Sequence, residues 1–309
     1  MSKNVVNMMM GLFVLLAFGL TGCGGGGGGG AADVGTLYTG KTTQAVVDAS
    51  NAKAVSEEAL GSVQQSVSIG GAGGMFKSAS DAPQSSFQIQ PVISILKNCA
   101  LKTRSKQAVA KTVASVESGN ELGYTGSYDY SFNINDSTGA GSGTITFKSY
   151  VAYSGAPVIS GAMSVSGSDG PGVDDFSVTV NMSNISVTAS PLSLTMNGII
   201  GVIGTATKET VTASIVILDN STKKTHYMKD LKMELTNATG KMTISGTFYN
   251  NDYGYVVIST TTPLATYDFD SYISSGELLF TGANGTKARL VFPGPSTYWY
   301  NGTSFTLVP

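Results

Sequence analysis

Ser177-Val178-Thr179-Val180-Asn181-Met182, with Asn184-Ile185-Ser186-Val187 close behind it, decides the fold. Apolar and polar residues alternate through it, and successive side chains of an extended chain point to opposite faces. The stretch predicts a strand with one apolar face and one face of Ser, Thr and Asn, as in an antiparallel sheet wetted on one side. Thr144-Ile145-Thr146-Phe147 alternates in the same way.

Working outward, the same pattern runs from about Leu122 to the C-terminus, in β-branched and aromatic runs separated by Gly, Asn, Asp or Ser. Strands are predicted near Gly123–Asn133, Gly143–Tyr153, Pro157–Ser166, Phe176–Thr188, Leu192–Thr205, Thr210–Leu218, Thr225–Leu235, Lys241–Tyr249 and Gly254–Thr261. Three more follow near Glu277–Gly282, Lys287–Phe292 and Thr297–Val308. About twelve strands in one row must curl into a half-barrel, a barrel or a sandwich of two sheets. The expected fold is therefore mainly β, an antiparallel meander over residues 120–309 with a small helical region, residues 42–119, ahead of it.

A faint repeat runs through the meander. Gly161-Ala-Met-Ser-Val-Ser-Gly167, Gly240-Lys-Met-Thr-Ile-Ser-Gly246 and Gly276-Glu-Leu-Leu-Phe-Thr-Gly282 share Gly-x-apolar-x-apolar-Ser/Thr-Gly, and Gly198-Ile-Ile-Gly-Val-Ile-Gly204 is a looser copy. The starts lie 37, 42 and 36 residues apart, which suits two antiparallel strands per unit. The spacing is too irregular for a propeller or solenoid. Glycines at strand ends, where turns need positive φ, account for it.

In the helical region, Thr43 to Gln65 is rich in Ala, Gln, Glu and Val. Val46, Val47, Ala54, Ala59, Leu60 and Val63 make a weak apolar face, and Thr42 or Thr43 is placed to cap it. A second helix opens at Pro91, with Val92, Ile95, Leu96 and Cys99 forming one stripe at i, i+3, i+4 and i+7. That places Cys99 as a small buried hydrophobe. Lys97, Lys102, Arg104, Lys106 and Lys111 follow with no acidic residue between Asp81 and Glu117. The run reads either as a solvated basic face or as a segment that touches acidic lipid.

The N-terminus carries an address. Lys3 is the only charge in the first 32 residues, and the apolar run from Met8 to Leu20 is 13 residues long. A spanning helix needs about 20 residues, whereas this length suits the core of a signal peptide. The run closes in Leu20-Thr21-Gly22-Cys23, which resembles the lipobox of bacterial lipoproteins. The resemblance implies removal of residues 1–22, a diacylglycerol on the Cys23 sulfur and acylation of the new N-terminus, and so partnership with a membrane through lipid. Gly24 stands where an Asp resembles an inner-membrane retention signal, so the outer membrane is implied. Residues 23–41 then read as a lipidated flexible tether, beginning with seven glycines, Gly24 to Gly30. Removal of 22 residues from 309 leaves 287, with 17 basic against 20 acidic residues, a net charge of −3. No overall field attracts nucleic acid. Charged residues make up only 12% of the chain, about half the usual share, and Ser, Thr, Asn and 39 glycines fill the polar positions.

No catalytic constellation is evident. His226 is the only histidine, in Lys223-Lys-Thr-His-Tyr227, and reads as a surface residue on a strand edge. Asp174-Asp175, and Asp268 with Asp270 near Asp252, read as turn formers, too few for a calcium site. Gly139-Ala-Gly-Ser-Gly143 has no helix after it and is not a phosphate cradle. No cofactor and no metal are implied. Tyr124, Tyr128 and Tyr130 alternate, and Tyr253, Tyr255, Tyr298, Trp299 and Tyr300 form further aromatic groups. These last five are the candidate ligand surface for a glycan or peptide if exposed, and sheet packing if buried.

Gly254-Tyr-Val-Val-Ile-Ser-Thr260, Thr262-Pro-Leu264, Ser275-Gly-Glu-Leu-Leu-Phe-Thr-Gly-Ala-Asn-Gly285 and Lys287-Ala-Arg-Leu290 complete a plan that resembles a group of uncharacterised Gram-negative lipoproteins. These pair a lipobox and polyglycine with a long β-meander. The resemblance brings no activity with it. The expected function is that of a non-enzymatic envelope or surface lipoprotein, a binding or structural module for an apolar ligand, a glycan or an envelope protein. The alternatives are a glycan-active enzyme with a carboxylate pair and a surface adhesin.

Overall fold

In the computed structural model the described residues are 34–56, 58–59, 115–135, 140–169, 175–190, 192–266, 273–293 and 304–308. They build one antiparallel sheet whose thirteen strands pair strictly in chain order. The strands are β1 Ser115–Leu122, β2 Thr125–Asn135, β3 Ala140–Val151, β4 Val158–Asp169, β5 Phe176–Ala189, β6 Leu192–Gly204 and β7 Lys208–Asp219. The chain continues with β8 Thr225–Thr236, β9 Lys241–Asn250, β10 Gly254–Thr266, β11 Ile273–Thr281, β12 Lys287–Pro293 and β13 Ser304–Val308. β1 and β13 form the two edges, and the sheet is an open meander.

All twelve expected strands are present, and β1 is an addition. Ser115-Val-Glu-Ser-Gly-Asn-Glu-Leu122 has little apolar alternation, and its first five residues fall in the stretch expected to be helical. Backbone pairing with β2, from Ser115–Ile134 to Leu122–Ser127, makes it a strand.

The apolar alternates of neighbouring strands fall in register. Tyr130, Ile145, Met163, Met182, Gly198, Ile215, Met228, Phe248 and Val256 are successive cross-strand partners from β2 to β10. All of this row but Gly198 belongs to a single core cluster that continues through Leu278, Phe280, Leu290 and Phe292, with Ile145, Ile159, Ile185, Leu194, Met196 and Ile200 fully buried. The apolar face is thus filled with the chain's own atoms, and Ala52, Val55 and Ala59 of the N-terminal segment pack into it. The other face carries mostly Ser, Thr, Asn and charged residues, with a few exposed aliphatic side chains such as Ile203 and one aromatic patch.

Bulges cross the sheet in a transverse seam. Ser149, Asn184 and Asp230 have φ of 50°, 53° and 50°, each where the pairing register slips. Their backbone N–H groups donate to Ser160 Oγ (3.2 Å), Asn197 Oδ1 (2.8 Å) and Ser214 Oγ (3.1 Å) on a neighbouring strand. Glycines face the bulges. Gly161 has φ +118°, and a Cβ there would lie 2.6 Å from Asn184 O. Gly276 has φ +122°, and its Cβ would lie 2.8 Å from Leu264 Cα. Gly161, Gly198, Gly246 and Gly276 all sit inside strands, so the repeated glycines mark mid-strand bends as well as turns. A bulge bends its strand and increases the local twist, which is how so long a row curves.

The first helix departs from expectation. Residues 43–47 are extended, and among the described residues of this stretch helix covers 52–56 and 58–59. The backbone of Thr43 and Ala45 is engaged by Tyr255, with Ala45 N–H donating to Tyr255 O (2.9 Å) and Tyr255 N–H to Thr43 O (3.0 Å). Neither Thr42 nor Thr43 caps. Asp48 opens the helix instead, its carboxylate accepting from Ser50 N–H (2.8 Å) and its carbonyl from Ala52 N–H (2.9 Å). Val46 and Val47 consequently point apart, one exposed and one buried. The helix at Pro91, Cys99 and the basic run 97–111 lie outside the described residues.

Candidate functional site

The hairpin turns between β1 and β2, β3 and β4, β5 and β6, β7 and β8, β9 and β10, and β11 and β12 lie at one end of the sheet, the end reached by the N-terminal segment. We call it the proximal end. Residues 34–59 are stitched across it. Thr39 N–H donates to Thr225 Oγ1 (3.0 Å) at the start of β8, and Lys41 N–H to Asn251 O (3.2 Å) in the β9–β10 turn. Further along, Ala283 N–H donates to Ala45 O (2.7 Å) and Val47 N–H to Thr286 Oγ1 (3.0 Å), both beside the β11–β12 turn. Gly254 makes the close approach possible: its φ is +98°, and a Cβ would lie 2.1 Å from Thr43 O.

Tyr38 is the anchor of this clasp on the polar face. Tyr227, Tyr249 and Tyr255 stand in cross-strand register on β8, β9 and β10. Tyr227 stacks on Tyr249 at 5.3 Å, Tyr249 meets Tyr255 at 5.0 Å, and Tyr38 packs edge-on against Tyr249 at 5.4 Å. The Tyr38 hydroxyl donates to Asn250 O (2.8 Å), with Lys41 O also within reach at 3.0 Å. Burial pushes its ionisation well above the usual tyrosine range, and Tyr249 and Asp252 add to the shift.

A polar cluster closes the same end on the apolar side. His226 stacks on Phe248 with ring centroids 6.1 Å apart, and its Nδ1 lies 3.6 Å from Glu58 Oε2. Asn250 Nδ2 donates to the same Glu58 carboxylate, and Lys224 pairs with Asp252. The His226 side chain is only 12% exposed, which corrects its reading as a surface histidine. Burial lowers its pKa to about 4, against the pull of Asp252 and Asp219. Burial resists ionisation of Asp219, but donation from Thr222 and Ser221 outweighs it and holds that carboxyl below the usual range. Lys224 and Asn251 hold Asp252 down in the same way.

Of the residues singled out in the sequence, Tyr253 is 39% exposed in the β9–β10 turn, while Tyr255 is half-buried in the tyrosine row. Tyr128 and Tyr130 are core residues, and Tyr124 is exposed in the β1–β2 turn. Leu20, Thr21, Gly22, Cys23, Tyr298, Trp299, Tyr300, Asp174, Asp268 and Asp270 lie outside the described residues. Sequence reasoning missed Tyr38, Glu58, Tyr227 and Tyr249, because strand register and a chain crossing bring them together and neither leaves a local pattern. Among the described residues, no group of three or more His, Cys, Asp and Glu is placed to hold a metal ion.

The fold and this end define an open antiparallel meander clasped at one end by its own N-terminal segment. Compared with family models, curated proteins and solved structures, the chain matches none.

Proposed function

We propose that the chain is a lipid-anchored, non-enzymatic lipoprotein of the outer membrane or cell surface, acting as a structural or protein-docking module. The observation that carries this reading is Leu20-Thr21-Gly22-Cys23 at the end of a 13-residue apolar run. Several acyl chains at one terminus give stable anchoring where a single chain is marginal. The reading gains support from the clasp, since a lipid at Cys23 would connect through a short tether to a segment fixed on the sheet rather than to a free tail.

Two features weigh against the rival roles. An apolar carrier needs its apolar face open, and here that face is filled by buried Ile, Leu, Met and Phe. Docking of another envelope protein onto the remaining surface is the better fit. A glycoside hydrolase needs one carboxylic acid whose pKa is raised. Among the described residues, the carboxyl groups of Asp48, Asp129, Asp219, Glu234 and Asp252 are shifted down by hydrogen bonds or cationic neighbours, so none of these five is such an acid.

The test is Cys23→Ser with membrane fractionation, beside mass spectrometry of the mature N-terminus. The wild type is expected in the membrane fraction with a diacylglycerol mass on a chain that begins at Cys23, and the variant in the soluble fraction. Unchanged sedimentation of the variant, or an unmodified wild-type terminus, overturns the reading.

A further inference from the structure

We propose that the proximal end is a membrane-contact surface, standing on the bilayer in which Cys23 is anchored; this rests on the lipoprotein reading above. Among the described residues, six of the ten large hydrophobic side chains that project into solvent stand at this end, and Val158, Ile199, Ile203 and Val257 lie within strands. Leu122 is 81% exposed and Tyr124 66% in the β1–β2 turn, Tyr153 57% in the β3–β4 turn, and Tyr253 39% in the β9–β10 turn. Leu37 and Val46 of the clasp, 47% and 50% exposed, complete the set. Each is costly to hold in water and adds nothing to the core. The described turns at the other end, 205–207 and 237–240, read Thr-Ala-Thr and Asn-Ala-Thr-Gly and hold no large hydrophobic side chain themselves, with Ile203, 52% exposed, two residues before the first of them. Tyrosine is a residue of the membrane interface, where its ring meets acyl chains and its hydroxyl meets head groups.

The tether decides which end meets lipid. Val34 packs against Val216 and Tyr227, within three residues of the proximal end of β7. That is roughly 10 Å from the proximal turns, whereas the 12 residues of β7 span about 40 Å. Val34 lies eleven positions after Cys23, and a flexible glycine-rich chain of that length would have a root-mean-square reach of about 18 Å. The proximal turns lie within slack reach of the bilayer surface. The far turns would require the tether to run nearly straight along the sheet. Charge does not set the orientation, since Lys41, Lys53, Lys223 and Lys224 share this end with Asp48, Glu121 and Asp252. The occupant is therefore the apolar boundary of the bilayer rather than an anionic head group in particular.

Trp299 is the only tryptophan, so a Trp299→Phe background makes the chain silent for single tryptophans. The mature chain with Cys99→Ser is coupled through the Cys23 thiol to a maleimide lipid in phosphatidylethanolamine/phosphatidylglycerol vesicles. This supplies the anchor whether or not the cell acylates Cys23, so failure of the lipoprotein reading shows only in the Cys23→Ser fractionation. Tryptophan is placed in separate chains at Tyr124, Tyr153 and Tyr253, at Ile203 on the polar face, and at Thr207 and Ala238 in the far turns. Expected are a blue shift and loss of emission with brominated lipid at 124, 153 and 253, and no change at 203, 207 and 238. Quenching at 207 or 238, quenching strongest at 203, or none anywhere overturns the proposal. Circular dichroism of each variant confirms that the sheet is intact. Should a turn variant fail to fold, a tryptophan at Ser154, exposed in the β3–β4 turn, reads the same depth.

Discussion

Removing the one histidine should remove the mildly acidic limb of the stability curve. His226 is buried against Phe248, and its pKa in the folded protein is lowered to about 4 from 6.5. A depressed histidine binds its proton more readily in the unfolded chain, so its contribution to stability is intact above about pH 6.5 and is lost as pH falls towards 4. From these two values the loss relative to pH 7 is about 0.7 kcal/mol at pH 6 and about 1.8 kcal/mol at pH 5. The facing groups separate cleanly from this window. Asp219 and Asp252 are held below the usual carboxylate range, so their contributions persist until pH falls through about 4, and Lys224, raised by Asp252, stays charged throughout. Glu58 lies 3.6 Å away, and burial, helped by Lys224, prevails over the pull of Asp252 and Asp219 towards protonation. The assay is urea unfolding at pH 7, 6 and 5 for wild type and His226→Gln. The wild type should lose about 1.8 kcal/mol more than the variant between pH 7 and pH 5. A sole histidine also gives one imidazole resonance by NMR, expected to titrate near 4. Parallel stability curves for the two proteins, or a titration midpoint near 6.5, would refute the reasoning.

Gly161→Ala should destabilise the sheet by about 2–4 kcal/mol, since the new Cβ meets a backbone oxygen at positive φ. Gly155→Ala, with φ +85° and open space around it, should cost only about 1 kcal/mol, and equal losses in thermal unfolding would discount the seam. Tyr38→Phe keeps the ring contacts but strips Asn250 O of its donor, so chemical denaturation should report a loss of about 1–2 kcal/mol. Gly254→Ala should push Thr43 away from β10, and limited proteolysis should then cut within residues 34–59 while the sheet resists. Simultaneous digestion of sheet and clasp would show that the two are not separable.

Alternation carried most of the fold because one face is buried and one is wet almost everywhere, so strands such as Phe176–Ala189 announce themselves. The bends were also written in the chain. Apolar positions run Val178, Val180, Met182 and then Ile185, Val187, and that slip of phase is the bulge at Asn184. The glycines of the repeat face such bulges, a role that Gly-rich spacing alone does not distinguish from turns. β1 escaped notice because backbone pairing rather than side-chain pattern holds it. The stretch from Thr43 to Val47 has helical composition, yet three hydrogen bonds between its backbone and Tyr255 and Ala283 make it extended. The packing of Tyr38 on the tyrosine row and the Glu58–His226 contact join residues more than 160 positions apart, and no local rule reaches across that distance.

That separation also orders the structure. Each hairpin of the meander closes over a few residues, so the sheet can grow strand by strand at small entropic cost. The clasp is different: Tyr38 bonds Asn250 across 212 residues, Thr39 meets Thr225 across 186 and Val47 meets Thr286 across 239. Its partners run from Thr225 to Thr286, so the N-terminal segment can dock fully only after the β11–β12 turn has been synthesised. It joins the sheet through a handful of backbone and side-chain hydrogen bonds, one aromatic side chain and five small apolar residues, Ala45, Val47, Ala52, Val55 and Ala59. Such a unit opens at a lower free energy than the sheet it covers. A chain held at Cys23 would therefore feel any pull from the membrane first at residues 34–47, which could release from the proximal end while the sheet stays folded.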